Sequence, residues 1–169
     1  VDDVVDVIQE QAEQTMRNLA GLGDDDMFAP VLVSVKRRAV WLAVNVCAAF
    51  LVASVVGQFE ETIQQLVTLA VLMPIVAAMG GISGSQTFTV VVRGIAVGQI
   101  GRSNLHALLL KEISVGVLNG LLWGLVVGLI VILWFEDISL GLIIGLAMLT
   151  NLTLAALAGA LIPVILKRL

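Results

Sequence analysis

The chain has 169 residues, of which 59% are hydrophobic and 13% charged, and its mean hydropathy is +1.06. This composition excludes a water-soluble domain and indicates an integral membrane protein. The net charge of −4 is unevenly distributed, because eight of the 13 acidic residues lie within residues 1–26 and eight of the nine basic residues lie within residues 27–169. No nucleic-acid partner is expected.

Residues 1–26 form the first predicted unit, an acidic amphipathic cytoplasmic helix followed by a linker. Apolar residues recur at helical spacing up to residue 19, and four carboxylates form a second stripe: Asp3, Asp6, Glu10 and Glu13. Carboxylates on one helix face repel each other unless a cation neutralises them, and Mg²⁺ and Ca²⁺ prefer oxygen ligands. The stripe therefore predicts a divalent-cation site, with a solvated acidic face as the alternative.

Residues 27–169 form the second predicted unit, a transmembrane domain. Four long uncharged runs predict membrane-spanning helices at about residues 39–57, 62–92, 108–135 and 139–166. The predicted fold is therefore an all-α polytopic membrane bundle of four helices, preceded by the amphipathic helix. The start of the chain is acidic and polar, so no signal peptide is expected.

The charges between the spans predict an orientation. Basic residues flank the spans at one set of ends, beginning with Lys36, Arg37 and Arg38, whereas the short turns at the other ends carry only acidic residues. Because basic loops stay in the cytoplasm, the N-terminus is predicted to be cytoplasmic in a multi-pass protein of the plasma (inner) membrane.

The second span is unusual, because its 31 uncharged residues from Thr62 to Val92 include a proline, three glycines and several polar side chains. Pro74 predicts a kink. Polar, irregular backbone at membrane depth is tolerated only where protein buries it or where it lines an aqueous cavity. The segment is therefore predicted to line a polar pathway, with helix packing as the alternative role of its glycines. The pore-lining candidates are Ala77, Gly80, Gly81, Ser83, Gly84, Gln86 and Thr87.

Three further residues are structural or conduction candidates: Glu112, Arg93 and Asn151. Glu112 lies inside the third span, where a carboxylate indicates either a direct role in conduction or an ion pair with Arg93 or Arg102. In the same span, glycines at every fourth position from 116 to 128 predict close helix packing. Asn45 of the first span is interpreted as an interhelical hydrogen-bond donor.

Nothing in the sequence has the spacing of a phosphate loop, a zinc site or a Ser-His-Asp set, so an enzyme is not expected. Four motifs instead resemble the membrane domain of the MgtE family of magnesium transporters and channels. They are Val1–Val7, the run from Pro74 to Gln86 with its Gly80-Gly81 pair, Lys111-Glu112 followed by Gly116 and Gly120, and Asn151 followed by Gly159, Pro163 and residues 167–169.

The resemblance implies a homodimer with five membrane helices per subunit and a Mg²⁺-selective pore near the dimer axis, lined by the second and fifth helices. It implies that Asp3 and Asp6 belong to a connecting helix that plugs the pore when cytoplasmic Mg²⁺ is high. It also implies that Gly80, Gly81 and Gly84 are glycines of the pore helix.

The chain departs from the family pattern at three points. Ile82 stands where the family usually has Asn, and glutamines replace several acidic residues of the connecting helix: Gln9, Gln11 and Gln14. The chain also stops at Leu169, before the expected fifth membrane helix, and is predicted to be a fragment.

The resulting hypothesis is transmembrane transport of Mg²⁺ through a channel-like pore at a dimer interface in the lipid bilayer, gated by Mg²⁺ binding to the acidic helix. Two alternatives remain. One is a secondary transporter of another substrate, and the other is a non-conducting membrane scaffold.

Overall fold

The computed structural model describes residues 30–65, 67–101 and 104–168, without the side chains of residues 37, 65, 167 and 168. The helices are α1 (Val31–Gly57), α2 (Glu60–Gln65), α3 (Val67–Ala96), α4 (Leu105–Phe135) and α5 (Ile138–Arg168). Among these described residues there is no strand, and every helix except α2 is long and apolar enough to cross a membrane. The predicted all-α membrane bundle is confirmed. The acidic helix predicted for residues 1–26 lies outside the described residues.

The described residues divide into two compact units, one with α1 and α2 and the other with α3, α4 and α5. Two polar side chains of α1 bond to carbonyls of their own helix. Asn45 Nδ2 donates to the Trp41 carbonyl and Ser54 Oγ to the Phe50 carbonyl, both at 2.8 Å. The interhelical bond predicted for Asn45 is therefore replaced by one to the carbonyl one turn back, the acceptor nearest to it.

Helix α3 runs without interruption through Pro74 and the glycine-rich segment. The irregular backbone expected around Gly80 and Gly81 is not found, because the segment is helical throughout. A membrane helix tolerates such residues where neighbouring groups satisfy the freed backbone atoms. The polar groups of α3 are thus presented at regular helical positions rather than from a loop.

Helix α5 is the central element of the second unit, since it packs along both α3 and α4. Its buried apolar residues recur every four positions along one face: Leu140, Ile144, Met148, Leu152, Ala156 and Ala160. Toward the start of this series, Leu140 and Ile144 pack with Leu72 of α3 and Val131 of α4. One apolar cluster of the unit therefore lies at this end, and the buried face of α5 continues from it to Ala160.

The α4–α5 contact is made by glycines, and we refer to Gly116, Gly120, Gly124 and Gly128 with their α5 partners as the glycine seam. All four are buried. A Cβ atom on Gly124 would lie 2.6 Å from the Gly145 carbonyl oxygen, and one on Gly128 would lie 2.9 Å from the Gly141 oxygen. The predicted packing role of this glycine face is confirmed, because only glycine allows the two backbones to approach so closely.

Short turns fix the order of the three helices. Between α4 and α5, Glu136 takes a left-handed conformation with φ 54°, and Asp137 Oδ1 accepts a bond from the Leu140 N–H at 3.1 Å. Between α3 and α4, Asn104 accepts a bond from the Gly101 N–H and donates to the Gln99 carbonyl. The second turn brings the end of α3 beside the start of α4.

Candidate functional site

One face of α3 packs against α5 through an amide and a glycine. Asn151 Nδ2 of α5 donates to the Val76 carbonyl of α3 at 2.5 Å. A Cβ atom on Gly80 would lie 2.6 Å from Asn151 Oδ1, so the absence of a side chain at Gly80 makes room for this amide. Asn151 thereby joins α5 to α3 two residues after Pro74.

The same face continues toward the end of α3 through further small residues. A Cβ atom on Gly84 would lie 3.4 Å from the Ala155 carbonyl oxygen, and one on Gly159 would contact the Gly84 carbonyl and Thr87. These contacts hold α3 and α5 at backbone distance. Gly80 and Gly84 thus take part in helix packing in the second unit.

The opposite face of α3 is exposed and carries polar groups at membrane depth. We call Ser85, Gln86, Thr89 and Arg93 the polar stripe; all four are exposed, and so are Ala77 and Gly81 earlier in the helix. Ser85 and Thr89 each donate a hydrogen bond to a carbonyl of their own helix, Ile82 and Ser85 respectively. Within the described residues, the Gln86 amide has no hydrogen-bond partner.

A buried carboxylate lies behind this stripe. Glu112 of α4 is 5% exposed, and its Oε2 accepts a bond from Thr87 Oγ1 of α3 at 3.2 Å. Its Oε1 is 3.1 Å from Lys111 Nζ. The expected ion pair is therefore formed with the neighbouring lysine and not with Arg93, whose side chain is exposed; Arg102 lies outside the described residues.

Glu112 borders a cavity of about 210 Å³, which we call the polar recess. Its polar lining comes from two helices: Ser83, Gln86 and Thr87 of α3, and Lys111, Glu112 and Asn119 of α4. Val90, Val115 and Ala156 complete the wall. The recess and the polar stripe meet at Gln86, which belongs to both.

The seven pore-lining candidates are divided between these surroundings. Ala77, Gly81 and Gln86 lie on the exposed side of α3, whereas Gly80, Gly84 and Thr87 face the neighbouring helices. Ser83 is half-buried and lines the polar recess. Their role in conduction stays a prediction.

Sequence reasoning did not single out Asn119 or assign Lys111 to the site. A signal for Asn119 was present, because an isolated amide seven residues after Glu112 lies two turns along the same side of a helix. Lys111 directly precedes Glu112, but adjacent residues on a helix do not usually face each other, so the pair was not expected.

The oxygen atoms of the recess are the kind that hard cations prefer, namely carboxylate, amide and hydroxyl oxygens. Within residues 30–65, 67–101 and 104–168, no group of three or more His, Cys, Asp or Glu side chains could hold a metal ion. A cation here would therefore meet one carboxylate and several neutral oxygens. The predicted acidic site of Asp3, Asp6, Glu10 and Glu13 lies outside the described residues.

Comparison with known proteins gives a consistent result. The family model described as MgtE, divalent cation transporter, matches residues 73–169. The chain is 32% identical to the magnesium transporter MgtE of Enterococcus faecalis, 28% identical to that of Bacillus subtilis and 29% identical to that of Thermus thermophilus. Each comparison covers 100% of the chain, but only 37%, 38% and 38% of the respective relative. The matched region includes the polar stripe, the polar recess and the glycine seam, and the chain belongs to the MgtE family of divalent cation transporters.

Proposed function

We propose that the chain forms part of a pathway that carries Mg²⁺ across the membrane. The observation that carries this proposal is the polar stripe, because exposed polar side chains in a membrane span need protein or water beside them. The names of the three relatives support Mg²⁺ as the transported ion.

The neutral polar groups of the stripe suit weak binding of a hydrated cation, which can then dissociate quickly. Mg²⁺ releases water reluctantly and usually keeps several water ligands in protein sites. Hydroxyl and amide groups such as those of Ser85, Gln86 and Thr89 hydrogen-bond to that hydration shell without adding negative charge to the site. Conduction requires binding that is weak enough for the ion to leave.

We also propose that the pore forms at the interface of a homodimer. All four side chains of the polar stripe are exposed in the second unit, and only Gln86 also borders the space between α3 and α4. A second copy facing this stripe would enclose a polar space between two equivalent surfaces.

Gating is proposed to depend on residues 1–26. The carboxylates of Asp3, Asp6, Glu10 and Glu13 would bind Mg²⁺ when its cytoplasmic concentration is high. The neutralised helix would then dock beneath the basic cytoplasmic face and close the pathway.

The orientation in this proposal is N-terminus inside. Arg93 and Lys111 lie at the ends of α3 and α4 that meet at one turn, whereas Glu136 and Asp137 occupy the turn at the opposite end of α4. A cysteine introduced at Glu60, in the other acidic turn, should react with an impermeant reagent added from the extracellular side. Reaction from the cytoplasmic side alone would reject this orientation.

The test of function is Mg²⁺ flux into proteoliposomes that contain a Mg²⁺-sensitive dye. The 169-residue chain and a chain extended to the length of its relatives are compared, and flux is expected in the longer chain. Gln86→Leu should lower that flux about tenfold, because it removes the unpartnered amide from the stripe. Gln58→Leu makes the same chemical change in the turn before α2 and should leave the flux unchanged.

Two results would contradict the proposal. Absence of Mg²⁺ flux in a folded, inserted long chain would favour a scaffold. Flux that requires a proton or Na⁺ gradient would favour a secondary transporter.

A further inference from the structure

The polar recess contains three neutral polar side chains that lack a hydrogen-bond partner in the described part of the chain. Ser83, Gln86 and Asn119 make no side-chain hydrogen bond to any residue that the structure describes. Together with the buried Glu112, the half-buried Ser83 and the exposed Gln86 and Asn119 line one open recess in the membrane-spanning part of the chain. Unsatisfied polar groups are costly in hydrocarbon, so the recess calls for a polar occupant.

We propose that the polar recess is a binding site for a hydrated divalent cation, and that the Lys111 ammonium takes the place of this cation when the site is empty. This inference rests on the proposed function, since it adds a second ion site beside the polar stripe. Gln86 would connect the two, because its side chain lies on the stripe and lines the recess.

The lining favours a cation over an anion. An ionised carboxylate such as that of Glu112 accepts hydrogen bonds and donates none. Ser83, Gln86 and Asn119 each add an oxygen that can accept. An anion would have to lie beside the buried carboxylate. Magnesium is typically held through one or two carboxylates with several retained waters, which fits one carboxylate in a cavity of about 210 Å³.

The two members of the ion pair differ in their freedom to move. The Lys111 side chain is 64% exposed, whereas the Glu112 side chain is 6% exposed and also accepts the bond from Thr87. Lys111 can therefore withdraw toward water while Glu112 stays in place. An arriving cation would exchange with the ammonium on Oε1, and the lysine would return when the ion leaves.

The exchange is tested in the full-length protein by chemical protection, which does not depend on flux. Val115 lines the recess and is 40% exposed, and a cysteine there, in a background without other cysteines, is treated with a cationic methanethiosulfonate reagent. A cysteine at Val97, which is 43% exposed and outside the recess, is the matched control. The reaction rate is measured in MgCl₂ and in NaCl of equal ionic strength.

The proposal expects Mg²⁺ to slow the reaction at position 115 and not at position 97. Lys111→Met should lower the Mg²⁺ concentration for half-protection about fivefold, which is the effect of removing a partly exposed competing ion pair. Glu112→Gln should abolish protection. If Glu112→Gln fails to fold, the Mg²⁺ concentration for half-protection in Lys111→Met still tests the proposal.

Equal rates at position 115 in MgCl₂ and NaCl, or half-protection unchanged in Lys111→Met, would overturn the inference. Mg²⁺ flux in the same protein separates the two proposals. Flux without protection rejects the recess as an ion site and keeps the pathway, whereas protection without flux keeps the site and rejects the pathway.

Discussion

The glycine seam and the polar recess both lie along α4, yet they are built in opposite ways. In the seam, backbone meets backbone, with Gly124 placed so that even a methyl group would reach the Gly145 carbonyl. In the recess, α3 and α4 stand far enough apart to leave about 210 Å³ among polar side chains. The comparison teaches that side-chain size along α4 differs between its two contacts, because glycines allow close approach to α5 whereas polar side chains line the open space beside α3.

The largest expected effect comes from filling the seam. Gly124→Ala should destabilise the folded chain by about 2–3 kcal/mol, because the new Cβ would lie 2.6 Å from a backbone oxygen that cannot turn away. Thermal unfolding in detergent measures the change. Gly81→Ala is the matched control, since a Cβ there meets nothing within 4 Å. Equal stability of the two variants would show that the contact between α4 and α5 at Gly124 has room for a methyl group.

The next effect concerns the ion pair in the recess. With Mg²⁺ chelated, Lys111→Met should cost about 1–2 kcal/mol, because Glu112 loses a charged hydrogen-bond donor while remaining buried. Glu112→Gln should cost less, since it leaves Lys111 free to reach water. Denaturant unfolding of both variants in EDTA checks this order. The reverse order would contradict the assignment of Glu112 as the fixed partner.

A smaller effect is expected where α3 meets α5. Asn151→Ala should cost about 1 kcal/mol, the net value of one hydrogen bond. Gly80→Ala should cost a similar amount, because its Cβ would displace the same amide. The double variant should then be little worse than either single one. Additive losses would mean that Gly80 and Asn151 act independently.

The smallest effect is expected in α1. Asn45→Leu should change the unfolding free energy by no more than about 0.5 kcal/mol, because the Asn45 amide bonds only to a carbonyl of its own helix within the described residues. The same unfolding assay provides the measurement. A loss comparable to that of Asn151→Ala would show that Asn45 also contacts another helix or a partner chain.

The helices themselves followed from the sequence, because uncharged runs of membrane-spanning length and a four-residue glycine spacing are local patterns. The environment of individual residues in α3 did not. Gly80 and Gly81 are neighbours in sequence, but one packs against Asn151 and the other faces away. Which of the two glycines contacts α5 depends on the rotation of α3 about its axis, and a local sequence pattern does not determine that rotation.

The partner of Glu112 illustrates the same limit. A buried carboxylate predicts a basic partner, but the choice among Arg93, Arg102 and Lys111 depends on how the turn joins α3 to α4. The bond from Thr87, 25 residues earlier in the chain, required the packed helices to be seen.

The Asn151–Val76 bond has a consequence for the biogenesis of the protein, since 75 positions separate its two ends. At a synthesis rate of about 5–20 residues per second, α3 waits roughly 4–15 s before the amide that braces it has been translated. During that interval the contacts that α5 makes with this face of α3 cannot form. The α3–α5 contact therefore forms late, after both turns of the second unit have been synthesised.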